Sequence, residues 1–358
     1  MSGYGRHANA MLSCLAKEAD VSLEILVSQE HLKENGQLDM RSPFSGFPLK
    51  TLPMRERYSE NLWKTLAFPA LDSYLKNVDI VYSPFATYLP VRSKPWLVTI
   101  HDVMAFETNL PWSKSIKHRW FRFKWAGWAK RAARDATYVL TSTEFSKDRI
   151  VYFLNVTPEK VIVVGNGIDP TFLNNAPTNM QYDLPFDAPY LLVVGGLTKH
   201  KGGEVVLKVA ESLRERGSNL QIVVTGHRDA ALAERAKQIP SIHLLPRVTD
   251  EQLRDLYTRA LALLFMSWYE GFGIPPLEAM AVGTPVIVSD QASLPEVVGD
   301  AGMVVSPTDP RRAAEFAIQL ERSSQLRSAF AQRGREHAAT FGWDQCGERL
   351  MQVIRSLK

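Results

Sequence analysis

The residues best placed to do chemistry lie in one stretch, Trp268-Tyr269-Glu270-Gly271-Phe272-Gly273-Ile274-Pro275-Pro276-Leu277-Glu278-Ala279-Met280-Ala281. The apolar run Ala260 to Met266 ahead of it reads as a buried strand, and Glu278 to Val282 reads as a helix. Proline is favoured at the first helical position, where its missing N–H would go unpaired anyway. Placing Pro276 there puts Glu278 in the first turn, at the positive end of the helix dipole. Gly271 and Gly273 let backbone N–H groups come close to whatever sits above that end. Such a mouth suits an anion, with roughly half a positive charge and several free donors. Glu270 stands just outside, where a carboxylate is costly beside a phosphate unless it binds something else, such as a sugar hydroxyl. An ordinary strand–loop–helix turn is the plainer alternative. The joint occurrence of two carboxylates, two glycines and two prolines argues against it.

A second loop could serve the same ligand. Tyr190 to Val194 reads as a strand, followed by Gly195-Gly196-Leu197-Thr198-Lys199-His200-Lys201-Gly202-Gly203 and a helix to about Arg216. Gly195 and Gly196 permit close approach, and Lys201 supplies a point charge for a phosphate. This is not a P-loop, which needs Gly-Lys-Ser/Thr after a four-residue gap. With Glu270 and Glu278, the combination fits a nucleotide carrying a polyhydroxylated group: Glu278 accepting from ribose hydroxyls, Glu270 from sugar hydroxyls.

The elements around these loops alternate. Further strands are expected at Leu220 to Val224, Ile242 to Leu244, Pro285 to Val288 and Met303 to Val305. Helices are expected at Asp250 to Arg259 (capped by Thr249 or Asp250), Asp309 to Ala339 and Trp343 to Leu357. The first half shows the same rhythm: strands at Val21 to Val27, Val78 to Tyr82, Trp96 to Ile100, Thr137 to Ser142 and Val161 to Val164. Asn35 to Pro53 reads as a long loop and Glu60 to Leu75 as a helix. Alternating strands and helices imply parallel sheets covered on both faces. Parallel strands carry ligands at their C-terminal ends, so His101 and Asp102, directly after a strand, stand where chemistry happens. Ser2-Gly3-Tyr4-Gly5-Arg6 reads as a glycine loop before a helix, His7 to Glu18. Such a loop normally follows a first strand, so a missing upstream segment is expected. The stretch from Gly165-Asn166-Gly167-Ile168-Asp169-Pro170 to Pro189 has linker composition. The expectation is an α/β chain of two doubly wound, Rossmann-like domains, 1–170 and 171–342, facing a cleft.

Lys114 to Arg134 has an unusual composition, with eight bases interleaved with Trp120, Phe121, Phe123, Trp125 and Trp128. On a helix, Phe121, Trp125, Trp128 and Ala132 share a face suited to the core. Ile116, Trp120 and Phe123 fall on another, flanked by bases such as Lys117 and Lys124. A basic helix with exposed aromatics resembles a membrane-surface element; a solvated helix covered by a loop is the alternative. Nucleic acid is a weaker option, with no accompanying motif, and is not expected.

The totals add bounds. The chain has 358 residues, 45% hydrophobic and 22% charged, with net charge +4; this fits about two soluble domains. Its two cysteines, Cys14 and Cys346, are far apart and outside any metal-like spacing. That fits a reducing, cytoplasmic setting. No run of about 18 apolar residues is present.

Several of these motifs together resemble the retaining family 4 glycosyltransferases of GT-B fold. They are Glu270-x7-Glu278 in its glycine–proline context, Gly283-Thr284-Pro285-Val286-Ile287 and Leu294-Pro295-Glu296-Val297-Val298-Gly299. The glycine loop at the start, His101-Asp102, Asn166-Gly167-Ile168-Asp169 and Lys201-Gly202 extend the likeness over most of the chain. The resemblance implies a donor site in the C-terminal domain, built from Gly195, Gly196, Lys199, Val248, Gly271, Phe272, Gly273, Ile274, Leu277 and Glu278. It implies Glu270, His101 and Lys201 as the catalytic set: Glu270 on the transferred sugar, His101 near the reacting carbon, Lys201 on the leaving diphosphate. Gly3 and Gly5 would close over the phosphates. Val248 would offer its backbone to the base, and a last helix, 343–358, would cross back to the N-terminal domain. Asp102, Lys117, Trp120, Phe123 and Lys124 would serve the acceptor and membrane side.

Similarity to bacterial mannosyltransferases of surface polysaccharide synthesis implies GDP-mannose as donor, with a UDP-hexose as alternative. The acceptor would be a glycan or lipid-linked, reached on the inner face of the cytoplasmic membrane. Many members have Arg after the first loop glycine, where this chain has Gly196; Lys199 or His200 could replace that charge. With no Asp-x-Asp element, no metal or other cofactor is expected. A non-catalytic sugar-nucleotide-binding subunit and a nucleotide-sugar epimerase are the competing classes.

Overall fold

The computed structural model describes residues 3–33, 36–39, 42, 44–52, 58, 62–63, 65–173 and 181–357. In the first half, α1 (Gly3–Leu15) is followed by β1 (Ile25–Ser28), β2 (Leu49–Leu52), β3 (Val81–Ser83) and β4 (Trp96–Thr99). Then come α2 (Ile116–Asp135), β5 (Tyr138–Thr141), α3 (Glu144–Leu154), β6 (Val161–Val163) and a short α4 (Pro170–Leu173). Strands β3-β4-β5-β6 form one parallel sheet, while β1 and β2 pair in parallel separately. All four residues of β4 are buried, because helices cover both faces of a parallel sheet.

The second half holds β7 (Tyr190–Val194), α5 (Gly203–Glu215), β8 (Gln221–Thr225), α6 (Ala230–Lys237), β9 (Ile242–Leu244), α7 (Asp250–Arg259) and β10 (Ala262–Phe265). It continues with α8 (Ile274–Ala281), β11 (Val286–Ser289), α9 (Leu294–Val298), β12 (Met303–Val305), α10 (Pro310–Arg322), α11 (Ser324–Ala338) and α12 (Trp343–Arg355). The six strands form one parallel sheet in the order β12-β11-β10-β7-β8-β9. The order reverses direction at β7 and β10, so the loops after these two strands flank the crevice where doubly wound sheets take ligands.

Each face of this sheet carries its own core. Val205, Val206 and Leu213 of α5 pack on one side with Leu320 of α10. Leu256 of α7 and Leu277 and Met280 of α8 pack on the other. Another cluster joins the two ends of the chain: Met11, Leu12 and Leu15 of α1 meet Leu350, Met351 and Ile354 of α12 over Leu97 and Leu140. The final helix therefore lies on the N-terminal sheet.

Several sequence expectations need correction. Gly3 and Gly5 lie inside α1 rather than in a loop ahead of a helix, and Ser2 is outside the described residues. The stretch read as a loop after β1 contains β2; parts of it lie outside the described residues. The helix expected from Glu60 to Leu75 is interrupted, and Glu60 itself is outside the described residues. Ala67 has φ 51, residues 67–70 are non-helical, and only a 3₁₀ turn follows at Leu71–Tyr74. Pro69 explains this, since it offers no N–H and disfavours helix at the residue before it. The helix expected from Asp309 to Ala339 is two. Ser323 is extended, φ −125 and ψ 101, and its side chain caps α11 by accepting from Leu326 N at 3.1 Å. On α2, Phe121 is exposed rather than in the core, which takes Trp128, Ala129, Ala132 and Ala133.

Candidate active site

The opening stretch forms a helix mouth two residues earlier than its prolines imply. Gly273 is the N-cap of α8 at φ 115, so Pro275 and not Pro276 sits in the first two positions. Glu278 consequently falls beyond the first turn. It is buried, with Tyr257 of α7 donating to Oε2 at 3.1 Å and Arg6 of α1 donating to Oε1 at 2.8 Å. Burial pushes its carboxyl up, and the Arg6 charge pulls it back down. Arg6 also reaches Asp250 at 2.8 Å. Asp250 opens α7, where Thr249 and Gln252 form a capping box. Val248 lies directly before that cap.

Glu270 stands outside the mouth. Lys201 Nζ lies 2.7 Å from Glu270 Oε1 and over the Phe265 ring at 5.4 Å. The lysine comes from the loop after β7, the glutamate from the loop after β10, so the two loops meet at the switch in strand order. Gly196 leaves no room for a side chain. It has φ +94, and an added Cβ would lie 1.7 Å from the His227 carbonyl oxygen. Arginine is excluded there by packing as well as by sequence. Lys199 turns to a different cleft of about 560 Å³, shared with Trp112, Lys208 and Trp268; it does not join Lys201 and Glu270.

The opposite wall comes from the first half of the chain. His101 follows β4 and is buried, with Nε2 lacking a hydrogen-bond partner among the described residues. Tyr4 stacks on its ring at 4.8 Å, and His7 meets it edge-on at 4.7 Å. Burial and the neighbouring His7 lower its pKa to about 3, against the pull of a hydrogen bond to the Pro84 backbone. His101 is thus neutral at neutral pH, with Nε2 free to meet a ligand hydroxyl. Tyr4 donates to Asp102 Oδ2 at 2.9 Å. Asp102, which accepts from Met104 N as well, belongs to this cluster rather than to the α2 surface. The charge of Glu270 acts on both Tyr4 and Asp102.

Specific contacts hold the two walls together. An added Cβ on Gly271 would lie 2.6 Å from the His101 carbonyl oxygen, so only glycine allows this approach. The Gly271 carbonyl is within hydrogen-bond reach of the hydroxyls of Ser142, Thr143 and Ser146, at 3.0 to 3.3 Å. Glu296 of α9 accepts from the backbone N–H groups of Glu144 and Phe145 at 2.8 and 2.9 Å, capping α3 from the other half of the chain.

This geometry agrees with the comparisons. The family profile Glycosyltransferase Family 4 matches residues 1–172, and Glycosyl transferases group 1 matches residues 179–337. Together they span nearly the whole chain. The chain belongs to the family 4 glycosyltransferases. An O-antigen chain mannosyltransferase B of Escherichia coli is 28% identical over 78% of this chain and 75% of its own. The O-antigen chain mannosyltransferase RfbU of Salmonella typhimurium is 31% identical over 60% of this chain, which spans 57% of that relative's length. A glycosyltransferase structure from Rickettsia africae superposes with a TM-score of 0.70 at 17% identity, over 99% of this chain and 95% of that one. The fold of this glycosyltransferase is accordingly GT-B, with two Rossmann-like domains.

The cleft of the glycosyltransferase brings together Glu270, Lys201, His101, Asp102 and Glu278, while Val248 packs against the core beside the Thr249 cap. Gly3 also reaches it, since an added Cβ there would lie 3.4 Å from Ile274 Cδ1 at the start of α8. Gly5 lies on the same first turns of α1. Phe272 and Leu277 are different: both side chains belong to the core, so only their backbone is available to a ligand. Lys117, Trp120, Phe123 and Lys124 lie on the exposed surface of α2 and, among the described residues, make none of the contacts that join Glu270, Lys201 and His101 to their neighbours. Tyr4, Arg6, His7 and Tyr257 were not singled out from the sequence. Reading Gly3 to Arg6 as a loop hid the fact that Tyr4 and His7 share one helical face. Among the described residues, no group of three or more His, Cys, Asp or Glu side chains could hold a metal ion.

Proposed function

We propose that this glycosyltransferase transfers mannose, with retention at the anomeric carbon, from a nucleotide sugar to a hydroxyl of a glycan or lipid-linked acceptor. The observation that carries the reading is the Lys201–Glu270 pair, whose charges act on Asp102 next to His101 on the opposite wall. In a retaining transfer, negative charge builds on the departing diphosphate while the sugar becomes oxocarbenium-like. Lys201 and the α8 mouth would stabilise the first, preorganised and held out of bulk water. Glu270 would hold sugar hydroxyls, and Lys201 would exchange its carboxylate partner for phosphate oxygens. Neutral His101 would accept a hydrogen bond from the donor sugar through Nε2. GDP-mannose is the preferred donor because the mannosyltransferases of Escherichia coli and Salmonella typhimurium resemble this chain; a UDP-hexose is the alternative. The nucleotide sugar is a co-substrate, and no resident cofactor or metal is invoked.

The acceptor side of the proposal includes a membrane. Ile116, Trp120 and Phe123 of α2 are 83, 63 and 83% exposed, and the helix carries no acidic residue before its last position, Asp135. That surface fits an anionic bilayer, with the protein on its inner, cytoplasmic face. No helix among the described residues is long and apolar enough to cross a membrane.

The test is turnover of GDP-mannose, UDP-glucose and UDP-galactose with membrane-extracted acceptors, reading the anomeric configuration of the product. Transfer from GDP-mannose giving the α-linked product is expected. Inversion would remove the retaining assignment, and binding of a donor with no turnover would leave the non-catalytic sugar-nucleotide-binding subunit as the better reading.

A further inference from the structure

Arg6 holds Glu278 from across the cleft. Its Nη1 donates to Glu278 Oε1 and its Nη2 to Asp250 Oδ1, each at 2.8 Å. The Tyr257 hydroxyl takes Oε2 of the same glutamate at 3.1 Å. Both carboxylate oxygens are thus engaged, and the Glu278 side chain keeps only 4% exposure. Ribose hydroxyls cannot reach this carboxylate while Arg6 is in place. The arginine presents two adjacent donors to two carboxylates, much as the vicinal hydroxyls of a ribose would. It comes from α1, on the N-terminal sheet, whereas Glu278 lies within α8 and Asp250 opens α7 of the other domain, so the contact exists only with the cleft closed.

The surroundings indicate where a displaced Arg6 goes. Gly3, on the turn before it, faces Ile274 at the first position of α8. That is the helix mouth suited to an anion. Lys201 starts out paired with Glu270 at 2.7 Å, and Gly196 cannot be replaced by a charged residue, so a second cation from α1 would add to the charge that Lys201 brings to the diphosphate. A guanidinium matches phosphate oxygens in a two-pronged geometry. Withdrawing it leaves a buried carboxylate in need of new donors, which ribose hydroxyls provide.

We propose that Arg6 is an internal stand-in for the donor: it engages Glu278 across the closed cleft, and an arriving nucleotide takes over Glu278 while Arg6 passes to the diphosphate. This rests on reading Glu278 as the ribose-facing residue of a nucleotide-sugar site. It makes Arg6 a donor-binding residue and ties domain closure to whether the site is filled.

The experiment is calorimetric titration of the full chain with guanosine, uridine, GDP and UDP, in wild type, Arg6→Ala and Asp250→Asn. In Arg6→Ala the competitor is gone but so is the phosphate cation. The nucleoside should bind about tenfold tighter or more, the worth of a charged hydrogen bond. The diphosphate should gain nothing, so its advantage over the nucleoside shrinks by at least that factor. In Asp250→Asn, Arg6 is released more easily and keeps its charge, so nucleoside and diphosphate should both tighten several-fold. Parallel weakening of nucleoside and diphosphate in Arg6→Ala would mean that Arg6 only supports the fold of the site, and the stand-in is overturned. Unchanged affinities in Asp250→Asn overturn it equally, and carry the test alone should Arg6→Ala not fold. A wild type that binds none of the four ligands sinks the nucleotide-sugar reading itself, and the inference with it.

Discussion

Lys201 and Glu270, 69 residues apart, place Nζ and Oε1 at 2.7 Å between the loops that follow β7 and β10. Their pairing keeps two opposite charges together in a partly buried cleft. The proposed chemistry needs both: the cation on the leaving diphosphate, the carboxylate on the sugar. Glu270→Gln and Lys201→Ala should each lower kcat by roughly 10²–10³-fold, the usual loss for one preorganised electrostatic group. The double variant should lose much less than the product of the two, because the groups act on one transition state. Full additivity in single-turnover assays would show that the two groups act independently and would overturn the shared role.

Domain closure supplies another prediction. Gly271 passes so close to His101 that a methyl group at 271 cannot be accommodated in the closed cleft. Gly271→Ala should leave each sheet intact and hold the domains apart. Scattering should show a larger radius of gyration, and turnover should fall by more than tenfold, as closure-dependent enzymes require. Glu296→Ala tests the same closure more gently. Losing its bonds to the α3 N-terminus should cost about 1 kcal/mol, the typical worth of a helix cap, visible as a lower melting temperature.

How far the sequence foretold this arrangement depends on the interaction range involved. The parallel strands were legible because burial on both faces makes them uninterrupted apolar runs, as in Trp96–Thr99 and Ala262–Phe265. Capped starts were legible where the cap is local, as at Thr249. Glu270, Lys201 and His101 could be singled out because each stands in or beside a loop that ends such a strand. Arg6 was not, since its partners lie 244 and 272 residues away, and no local pattern records a contact between domains. The exact start of α8 was misread because Gly273 takes an N-cap conformation with φ 115, which lets the helix begin before its prolines. Ser323 was missed for a related reason: a serine in a long amphipathic run looks like surface until its extended backbone is seen.

The surface of α2 gives a prediction that does not involve the active site. Trp120 and Phe123 are exposed, and Lys124 Nζ lies 5.2 Å from the Trp120 ring centroid. In flotation with vesicles containing phosphatidylglycerol, wild type should rise with the lipid and dissociate as salt increases, since exposed charges are screened over about 10 Å at 0.1 M. Trp120→Ala/Phe123→Ala should weaken binding at every salt concentration, and replacing Lys117 and Lys124 by Gln should weaken it mainly at low salt. Binding equal to wild type in both variants would return α2 to an ordinary solvated helix. Transfer to a short soluble acceptor should be unchanged in either variant.

The paired histidines predict an acid-side loss of stability. Burial lowers His7 to about 4, with the Asn166 hydrogen bond opposing it, and burial with His7 lowers His101 to about 3. Both folded values lie below the ordinary histidine value of about 6.5. A group depressed in the folded state contributes its full stability above the unfolded value and loses it as pH falls toward the folded one. The loss therefore begins near pH 6.5 and should reach roughly 2 kcal/mol per histidine at about pH 5. Glu278 and Asp102 are shifted upward by burial, so protonating them at lower pH offsets part of the loss. The window to compare is between pH 6.5 and 5, where the histidine loss accumulates and any offset from these carboxylates is shared by wild type and the histidine variant. Melting temperature measured across that window should fall steeply for wild type and distinctly less for His7→Gln/His101→Gln, whose replacements stay neutral. The pH profile of kcat should remain flat over the upper part of the window, because His101 acts in its neutral form. Equal slopes for wild type and the double variant would place the acid sensitivity elsewhere.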